Sequence, residues 1–478
     1  MIFSGLVFIT AFLPLTLLVY IAVPERNTKI KNAVLLTASL VFYGWGEPKY
    51  ILVLLASIVL NYFLTMAIYQ KKENDDPEGA RRLFILDVVL EIGILVFFKY
   101  ANFVISTVND LTDSGLGILS IALPIGISFY TLQIMSYVID VYRGDIKAER
   151  DFLSFACYIS MFPKLIAGPI VRYSDIEKRL KKRENDGVRF TEGIRRFVFG
   201  LSKKVLIANQ MGIIWNEIYG MAENGQEPGA LTVWIGALAF TFRIYFDFSG
   251  YSDMAIGLGK LMGFDLPENF DFPYIAGSVT EFWKRWHISL TSWFRDYVYI
   301  PLGGNRKGLK RQILNIVIVW VLAGLWHGAG WNFLIWGLYY ALILIIEKLF
   351  LNDILLKISG KLSFVKHVYT LFIVIIGWVI FSITDLGMMG EYLGLMFGKG
   401  QGTMDQAMYY LTSRAGLFVI AALVSTPLVR KYADKLISNI RFHTSKDMLE
   451  TFITVILFIM CIAFIVSGSN DTFLYFRF

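Results

Sequence analysis

Two histidines, His287 and His327, are the side chains of this chain best suited to do chemistry. The 478-residue sequence has only four histidines, and these two lie in the aromatic, apolar stretches 282–287 and 325–332. A buried imidazole is costly without a partner or a task, and its pKa lies close to neutrality. The pair therefore indicates proton transfer. The alternative is two core histidines that hydrogen-bond to helix carbonyls.

A metal centre is not expected at these histidines. They lie 40 positions apart, so no helix face presents them together, and no cluster of His or Cys supplies further ligands. The two cysteines, Cys157 and Cys461, lie far apart in apolar stretches, which argues against a disulfide framework. We predict no metal and no bound cofactor.

The composition is that of a membrane protein. Hydrophobic residues make up 56% of the chain and charged residues 17%, and the mean hydropathy is +0.57. The net charge of +7 does not indicate nucleic-acid binding, because most Lys and Arg flank apolar segments. We expect an all-α polytopic membrane protein in contact with membrane lipids.

About eleven or twelve transmembrane helices are predicted. The connections 101–117 and 220–230 contain no Lys or Arg, whereas basic residues follow the first, third and fifth spans, so both termini are expected outside the cytoplasm. The first apolar run lacks a basic leader and a cleavage site, and we expect it to be retained as a span. The apolar windows are 3–22, 33–45, 50–69, 83–99, 118–140, 205–219, 231–248, 313–327, 332–350, 367–383, 411–429 and 450–467.

Three stretches do not fit a simple span. Residues 151–171 are apolar but broken by Pro and Gly, which favours a re-entrant hairpin. Residues 172–204 are basic and predict a cytoplasmic segment with an amphipathic helix near 193–204. Its basic side chains suit either phosphate groups or anionic lipid. Residues 250–311 are too polar to span the membrane yet too aromatic for a free loop, and they carry His287. Without an internal repeat, we predict one integral membrane domain over 1–478.

Short motifs rich in aromatic, Gly, Pro and charged residues occur along the chain. They lie at 7–8, 124–130, 167–170, 243–253, 267–270, 281–290, 293–297, 299–304, 326–328 and 475–478. Together they resemble the membrane-bound O-acyltransferase family, and within it the branch that O-acetylates bacterial exopolysaccharides. The similarity extends over essentially the whole chain. One departure is Ser382, where relatives often carry arginine, which puts in doubt any role of a cation there.

The resemblance implies a bundle of helices with re-entrant and amphipathic segments around a central funnel, in a bacterial cytoplasmic membrane. It implies an O-acyltransferase with His327 as the catalytic histidine and His287 as the second. His327 is expected to deprotonate an acceptor hydroxyl, or less favourably to accept the acyl group itself, and His287 to orient His327 or stabilise an oxyanion. The donor is expected to be acetyl-CoA or another acyl thioester, and the acceptor a polysaccharide reached through an extracytoplasmic acetyltransferase-type partner.

Ten further residues near these motifs are candidate substrate contacts. Charges at membrane depth are usually paired and often line functional cavities, but an Asp–Arg structural pair explains them equally well. The aromatic members fit packing as well as binding. The candidates are Asp247, Ser249, Asp253, Trp283, Lys284, Arg285, Trp286, Arg295, Trp326 and Asn332.

Two other functions remain open. D-alanyl transfer to teichoic acid uses similar chemistry in a related branch. A non-enzymatic transporter would show broken helices in two related halves, which the sequence lacks. The helix before His327 is predicted to be only about 15 residues long, shorter than a comfortable crossing. This places His327 below the outer surface, within reach of both compartments.

Overall fold

Apolar segments of a membrane protein form helices because hydrocarbon offers no partner for a backbone N–H or C=O. The computed structural model describes residues 1–183, 186–438, 443–468 and 473–474, and every regular element in these ranges is helical. The all-α polytopic fold class is thereby confirmed. The motif at 475–478 lies outside the described residues.

The chain divides into two compact units. The first contains residues 1–197 and 251–267, and the second contains 198–250 and 268–478. Two helices, Gly187–Ser202 and Ala230–Leu261, run from one unit into the other. The prediction of a single domain stays a prediction.

The first unit is built mainly from long apolar helices near the start of the chain. A π-helical turn, Phe8–Phe12, precedes the first of them. The 151–171 segment forms two short helices around Met161, and their side chains are almost all buried. The helices of this unit are Leu13–Ala22, Thr28–Gly46, Ile51–Glu73, Pro77–Thr112, Ile127–Arg143, Phe152–Ser160, Phe162–Leu165 and Tyr173–Lys181.

The second unit carries both candidate histidines. The helix expected near 193–204 begins at Gly187 and continues through the π-helical turn Lys203–Ala208 into the next helix. The later helices are Asn209–Glu223, Val279–Arg285, Ile288–Phe294, Leu309–His327, Trp331–Ile346, Asn352–Lys357, Phe364–Ser382, Leu386–Met396, Met404–Ser413, Ala415–Val424, Leu428–Ser438 and His443–Val466. Shorter 3₁₀ or π turns are Pro273–Ile275, Arg295–Tyr299, Glu347–Leu351 and Gly360–Ser363.

Fewer helices than predicted have the length and hydropathy of a full membrane span. Among the described residues, 7 helices are long and apolar enough to cross, or 8 if the bent pair Met404–Ser413 and Ala415–Val424 is one span. The window at 118–140 forms a helix only from Ile127, and the first window forms a helix of 15 residues. Mean hydropathy does not reveal where the backbone breaks, and this is why some windows did not become long helices.

The helix that ends at His327 is longer than expected. It begins at Leu309, after Gly308 in a positive-φ conformation, and has 19 residues where 15 were predicted. At 1.5 Å per residue it extends roughly 28 Å, close to the thickness of the hydrocarbon core. The helix is thus four residues longer than the predicted apolar span, and the added residues are Leu309, Lys310, Arg311 and Gln312.

Two glycines bring this helix close to its successor. A Cβ at Gly324 would lie 2.3 Å from the carbonyl oxygen of Phe333, and a Cβ at Gly337 would lie 2.4 Å from that of Trp320. Side chains at these positions would force the hairpin apart. The close packing fixes His327 against the helix that follows it.

Candidate active site

A short backbone pairing positions His287. Phe270 and Trp286 form an isolated antiparallel bridge, the N–H of Asp271 donates to the carbonyl of Arg285 (3.0 Å), and that of Ile288 donates to the carbonyl of Asn269 (3.0 Å). His287 itself adopts a left-handed conformation (φ +46°). His, Asn and Asp enter this region more readily than other non-glycine residues.

The side chain of Asn269 determines which ring nitrogen of His287 carries the proton. Its Oδ1 accepts hydrogen bonds from the backbone N–H of Ser289 (3.2 Å) and the Ser289 hydroxyl (2.9 Å). Because a backbone N–H can only donate, this atom is the amide oxygen. The same oxygen lies 3.1 Å from Nδ1 of His287, so Nδ1 must carry a hydrogen.

The burial of His287 keeps its ring neutral. His287 lies in the chain segment between the candidate membrane spans Ala230–Leu261 and Leu309–His327, and its side chain is 1% exposed. Burial lowers the pKa of His287 to about 3. With the proton on Nδ1, the lone pair of the neutral ring lies on Nε2. Nε2 of His287 can therefore only accept a hydrogen bond.

His327 is the last residue of its helix and is surrounded by aromatic rings. Its side chain is buried, and the ring centroid lies 5.0 Å from that of Trp326, 5.0 Å from that of Trp336 and 5.3 Å from that of Phe381. All three contacts are edge-to-face, which limits rotation of the imidazole. Trp326 also contacts His287, with ring centroids 6.0 Å apart.

One cavity of about 210 Å³ is lined by both histidines. On the helix Leu309–His327, the lining positions are 316, 319, 320, 323 and 327, which lie on one face. They extend over roughly 16 Å of helix axis, from the histidine toward the basic start of the helix. The other lining residues are Trp283, Trp286, Leu290, Thr291, Phe294, Arg295, Tyr299 and Trp336.

Four of the ten predicted substrate contacts line the cavity or touch the histidine rings, and the other six lie elsewhere. Trp283, Trp286 and Arg295 line the cavity with the histidines, and Trp326 contacts both histidine rings. Asn332 is buried and anchors its helix by donating from Nδ2 to the carbonyl of Phe381 (3.0 Å).

The remaining charged candidates are mostly in ion pairs or exposed. Nζ of Lys204 lies 2.5 Å from Asp247, and both side chains are 2% exposed. Asp253 pairs with Arg196 at 2.5 Å, and Arg285 pairs with Glu281 at 2.9 Å.

Two candidates are neither in the cavity lining nor in these pairs. Lys284 is exposed, and Ser249 is buried. For these, as for the residues in ion pairs, a substrate contact stays a prediction.

Sequence reasoning missed several residues of this site. Asn269 belongs to the motif at 267–270, but only the backbone pairing reveals its contact with His287. Trp320, Trp336 and Thr291 line the cavity from three different helices. Helical spacing from His327 would have found Trp320 and Ala323, whereas the contribution of Trp336 depends on the glycine-mediated hairpin.

Comparison with known proteins agrees with this architecture. The model of the membrane-bound O-acyltransferase family matches residues 146–390, a range that contains both histidines. The chain belongs to this family and is an O-acyltransferase.

Individual relatives have similar lengths. The chain is 40% identical to the probable alginate O-acetylase AlgI of Pseudomonas putida, over 85% of this chain and 82% of that protein. It is 30% identical to the peptidoglycan O-acetyltransferase of Helicobacter pylori, over 100% of this chain and 98% of that protein. It is 27% identical to the teichoic acid D-alanyltransferase of Lacticaseibacillus rhamnosus, over 63% of this chain and 74% of that protein.

Proposed function

We propose that this protein transfers an acetyl group from acetyl-CoA on the cytoplasmic side of a bacterial cytoplasmic membrane toward an extracytoplasmic polysaccharide. The observation that carries the proposal is the single cavity that His287 and His327 line together. Its volume of about 210 Å³ suits a small acyl group, and its walls are mainly aromatic. The acetyl assignment draws on the two O-acetylating relatives.

His327 acts as the general base. Its imidazole removes the proton of the acceptor hydroxyl while the oxygen attacks the thioester carbonyl carbon. The C–S bond then breaks, and the thiolate takes the proton from the imidazolium. A positioned base of this kind contributes about 10²–10⁴-fold to the rate. An acetyl-histidine intermediate is the less favoured variant.

His287 orients a reacting group by accepting a hydrogen bond at Nε2. A neutral ring with its only N–H directed at Asn269 has no donor to offer an oxyanion. Of the two roles expected for His287, orientation therefore agrees better with the geometry than oxyanion stabilisation.

The groove along the helix Leu309–His327 is the route for the donor. Lys310 and Arg311 at the start of that helix lie on the cytoplasmic side by the positive-inside rule. A pantetheine arm entering there would follow lining positions 316, 319, 320 and 323 to reach His327. The acetyl ester formed on the attacking hydroxyl is then passed on to the polysaccharide by an extracytoplasmic partner protein. Both chain termini lie on the extracytoplasmic side.

D-alanyl transfer is the competing assignment. The D-alanyltransferase relative aligns with 63% of the chain at 27% identity, whereas the alginate relative aligns with 85% at 40%. The difference favours acetyl. Alginate and peptidoglycan, the acceptors named for two relatives, are the first polymers to test.

The test is transfer from radiolabelled acetyl-CoA by purified protein in liposomes. The His327→Ala variant should lose about 10²–10⁴-fold in kcat while retaining its helical circular dichroism. His367→Ala is the matched control, because Nδ1 of His367 lies 3.2 Å from the carbonyl oxygen of Ala276 and this ring does not line the cavity. A folded His327→Ala protein with normal turnover would remove the proposed base.

Binding of the donor in the cavity needs a separate test. Gly328 is unsuitable for a cysteine probe because a Cβ there would lie 2.0 Å from the ring of Phe333. Thr291 lines the cavity and is nearly isosteric with cysteine. Thr291→Cys should react with slim thiol reagents and be protected by acetyl-CoA. Equal labelling with and without the donor would contradict binding in this cavity.

A further inference from the structure

Two carboxylates are buried within the first unit, away from the histidine cavity. Asp87 and Glu91 lie one turn apart on the helix Pro77–Thr112, and each side chain is 1% exposed. Leu86, Val89 and Ile92 on the same helix are exposed apolar side chains, as expected for lipid contact. Among the ion pairs of the described residues, none involves either carboxylate.

The helix packed against them presents a polar stripe at the same level. Ser57, Asn61 and Thr65 follow one another at one-turn spacing on the membrane-crossing helix Ile51–Glu73, and all three are buried. The two helices are consecutive and antiparallel and are joined by a short turn. Nδ2 of Asn61 donates to Glu91. Because the two helices are antiparallel, Thr65, one turn after Asn61, faces Asp87, one turn before Glu91.

Most oxygens of this cluster have no hydrogen-bond partner within the protein. Neither Oδ1 nor Oδ2 of Asp87 is hydrogen-bonded, and the same holds for Oδ1 of Asn61 and Oγ1 of Thr65. The Asn61 amide nitrogen donates to the Ser57 carbonyl and to Glu91, which leaves its oxygen as an acceptor only. Thr65 is an independent sign of a ligand, since it lies on the same helix face as Asn61, is 1% exposed, and its hydroxyl has no hydrogen-bond partner within the protein.

We propose that Asp87, Glu91, Asn61 and Thr65 form a binding site for a hard metal cation, Na⁺ or Ca²⁺. Carboxylate, amide and hydroxyl oxygens are the ligands that such ions prefer, and Ca²⁺ takes six to eight of them in flexible geometry. Two carboxylates without a cation are strongly disfavoured in a low-dielectric interior. A bound cation neutralises them and cross-links two consecutive helices. The site is independent of acyl transfer.

Direct ion binding to the purified full-length protein tests this proposal. Equilibrium dialysis in detergent with ²²Na⁺ and, in a separate arm, with ⁴⁵Ca²⁺ should give saturable binding of one ion per chain with one of the two. Thermal unfolding at constant ionic strength, with choline chloride as the reference salt, should shift to higher temperature over the same concentration range.

Variants show whether the ion occupies this cluster. Asp87→Asn and Glu91→Gln should each abolish the binding and the thermal shift. Asp110→Asn, an exposed acidic position on the same helix, is the matched control and should retain both. If the variants fail to fold, dialysis of the unchanged protein still shows whether it binds one ion saturably. Absence of saturable binding, stability that responds to pH but to neither ion, or binding that survives in folded variants would each overturn the proposal.

Discussion

Asn269 is predicted to be a positioning residue for His287. Asn269→Ala removes the oxygen that accepts from Nδ1 of His287 and from two donors of Ser289, at 3.1, 3.2 and 2.9 Å. A buried donor left unsatisfied costs about 1–3 kcal/mol. Since His287 is 1% exposed, little water is available to replace the lost acceptor. The ring then loses both its orientation and its Nδ1–H tautomer.

The expected kinetic consequence is a fall of about 10–100-fold in kcat/KM, equivalent to roughly 1.4–2.8 kcal/mol of transition-state stabilisation. Acetyl transfer in liposomes over a range of pH measures it. Ser289→Ala is the matched control, because it removes one donor to Asn269 and leaves the contact with His287 in place. Asn269→Asp keeps an acceptor and should restore activity with a shifted pH profile, since a carboxylate raises the pKa of a neighbouring imidazole. An Asn269→Ala protein with unchanged kcat/KM and pH profile would refute the reasoning.

Three further predictions follow from the same geometry. Ala323→Leu should fill part of the cavity and lower kcat/KM by about tenfold or more, about 1.4 kcal/mol, while Val321→Leu on the same helix but outside the lining should not. Lys204→Met should lower the free energy of unfolding by about 3–5 kcal/mol in chemical denaturation, because it leaves the buried carboxylate of Asp247 without its cation. The double variant with Asp247→Leu should recover much of this loss. If the stable double variant loses activity, Asp247 contacts substrate after all. Burial lowers the pKa of His287 from 6.5 to about 3, so between these pH values only the unfolded chain binds a proton at this ring. The free energy of unfolding should therefore fall as the pH drops from about 6.5 toward 3. Urea titrations should show that His287→Asn lacks this part of the pH dependence.

The sequence predicted the fold class well and the individual helix boundaries less well. Long apolar windows such as 50–69 and 367–383 became the helices Ile51–Glu73 and Phe364–Ser382, because burial of the backbone in hydrocarbon leaves no other choice. Boundaries at polar residues were missed. Lys310 and Arg311 lower the hydropathy of the window yet extend the helix, since both are good helix formers.

The candidate site was predictable where residue type carried the signal. His287 and His327 stand out by composition, and the structure places both on one cavity. Charged neighbours were harder to interpret, because a buried charge looks the same in sequence whether its partner is a substrate or a side chain. Asp247 is 2.5 Å from a lysine 43 positions away, a contact that no local pattern contains.

The length of the helix Leu309–His327 changes how access to the proposed catalytic histidine, His327, must be explained. A 15-residue helix would have required a thinned membrane to bring His327 within reach of the cytoplasm. A 19-residue helix spans roughly the full hydrocarbon core, so its end lies far from the side on which Lys310 is predicted to lie. The cavity supplies part of the path, because its lining begins at Ile316 and follows one helix face for roughly 16 Å to His327. The proposed thioester donor, on a long flexible arm, would need a groove of this kind rather than a thin membrane. The same groove lets His327 remain buried among aromatic rings, which would keep water from the thioester.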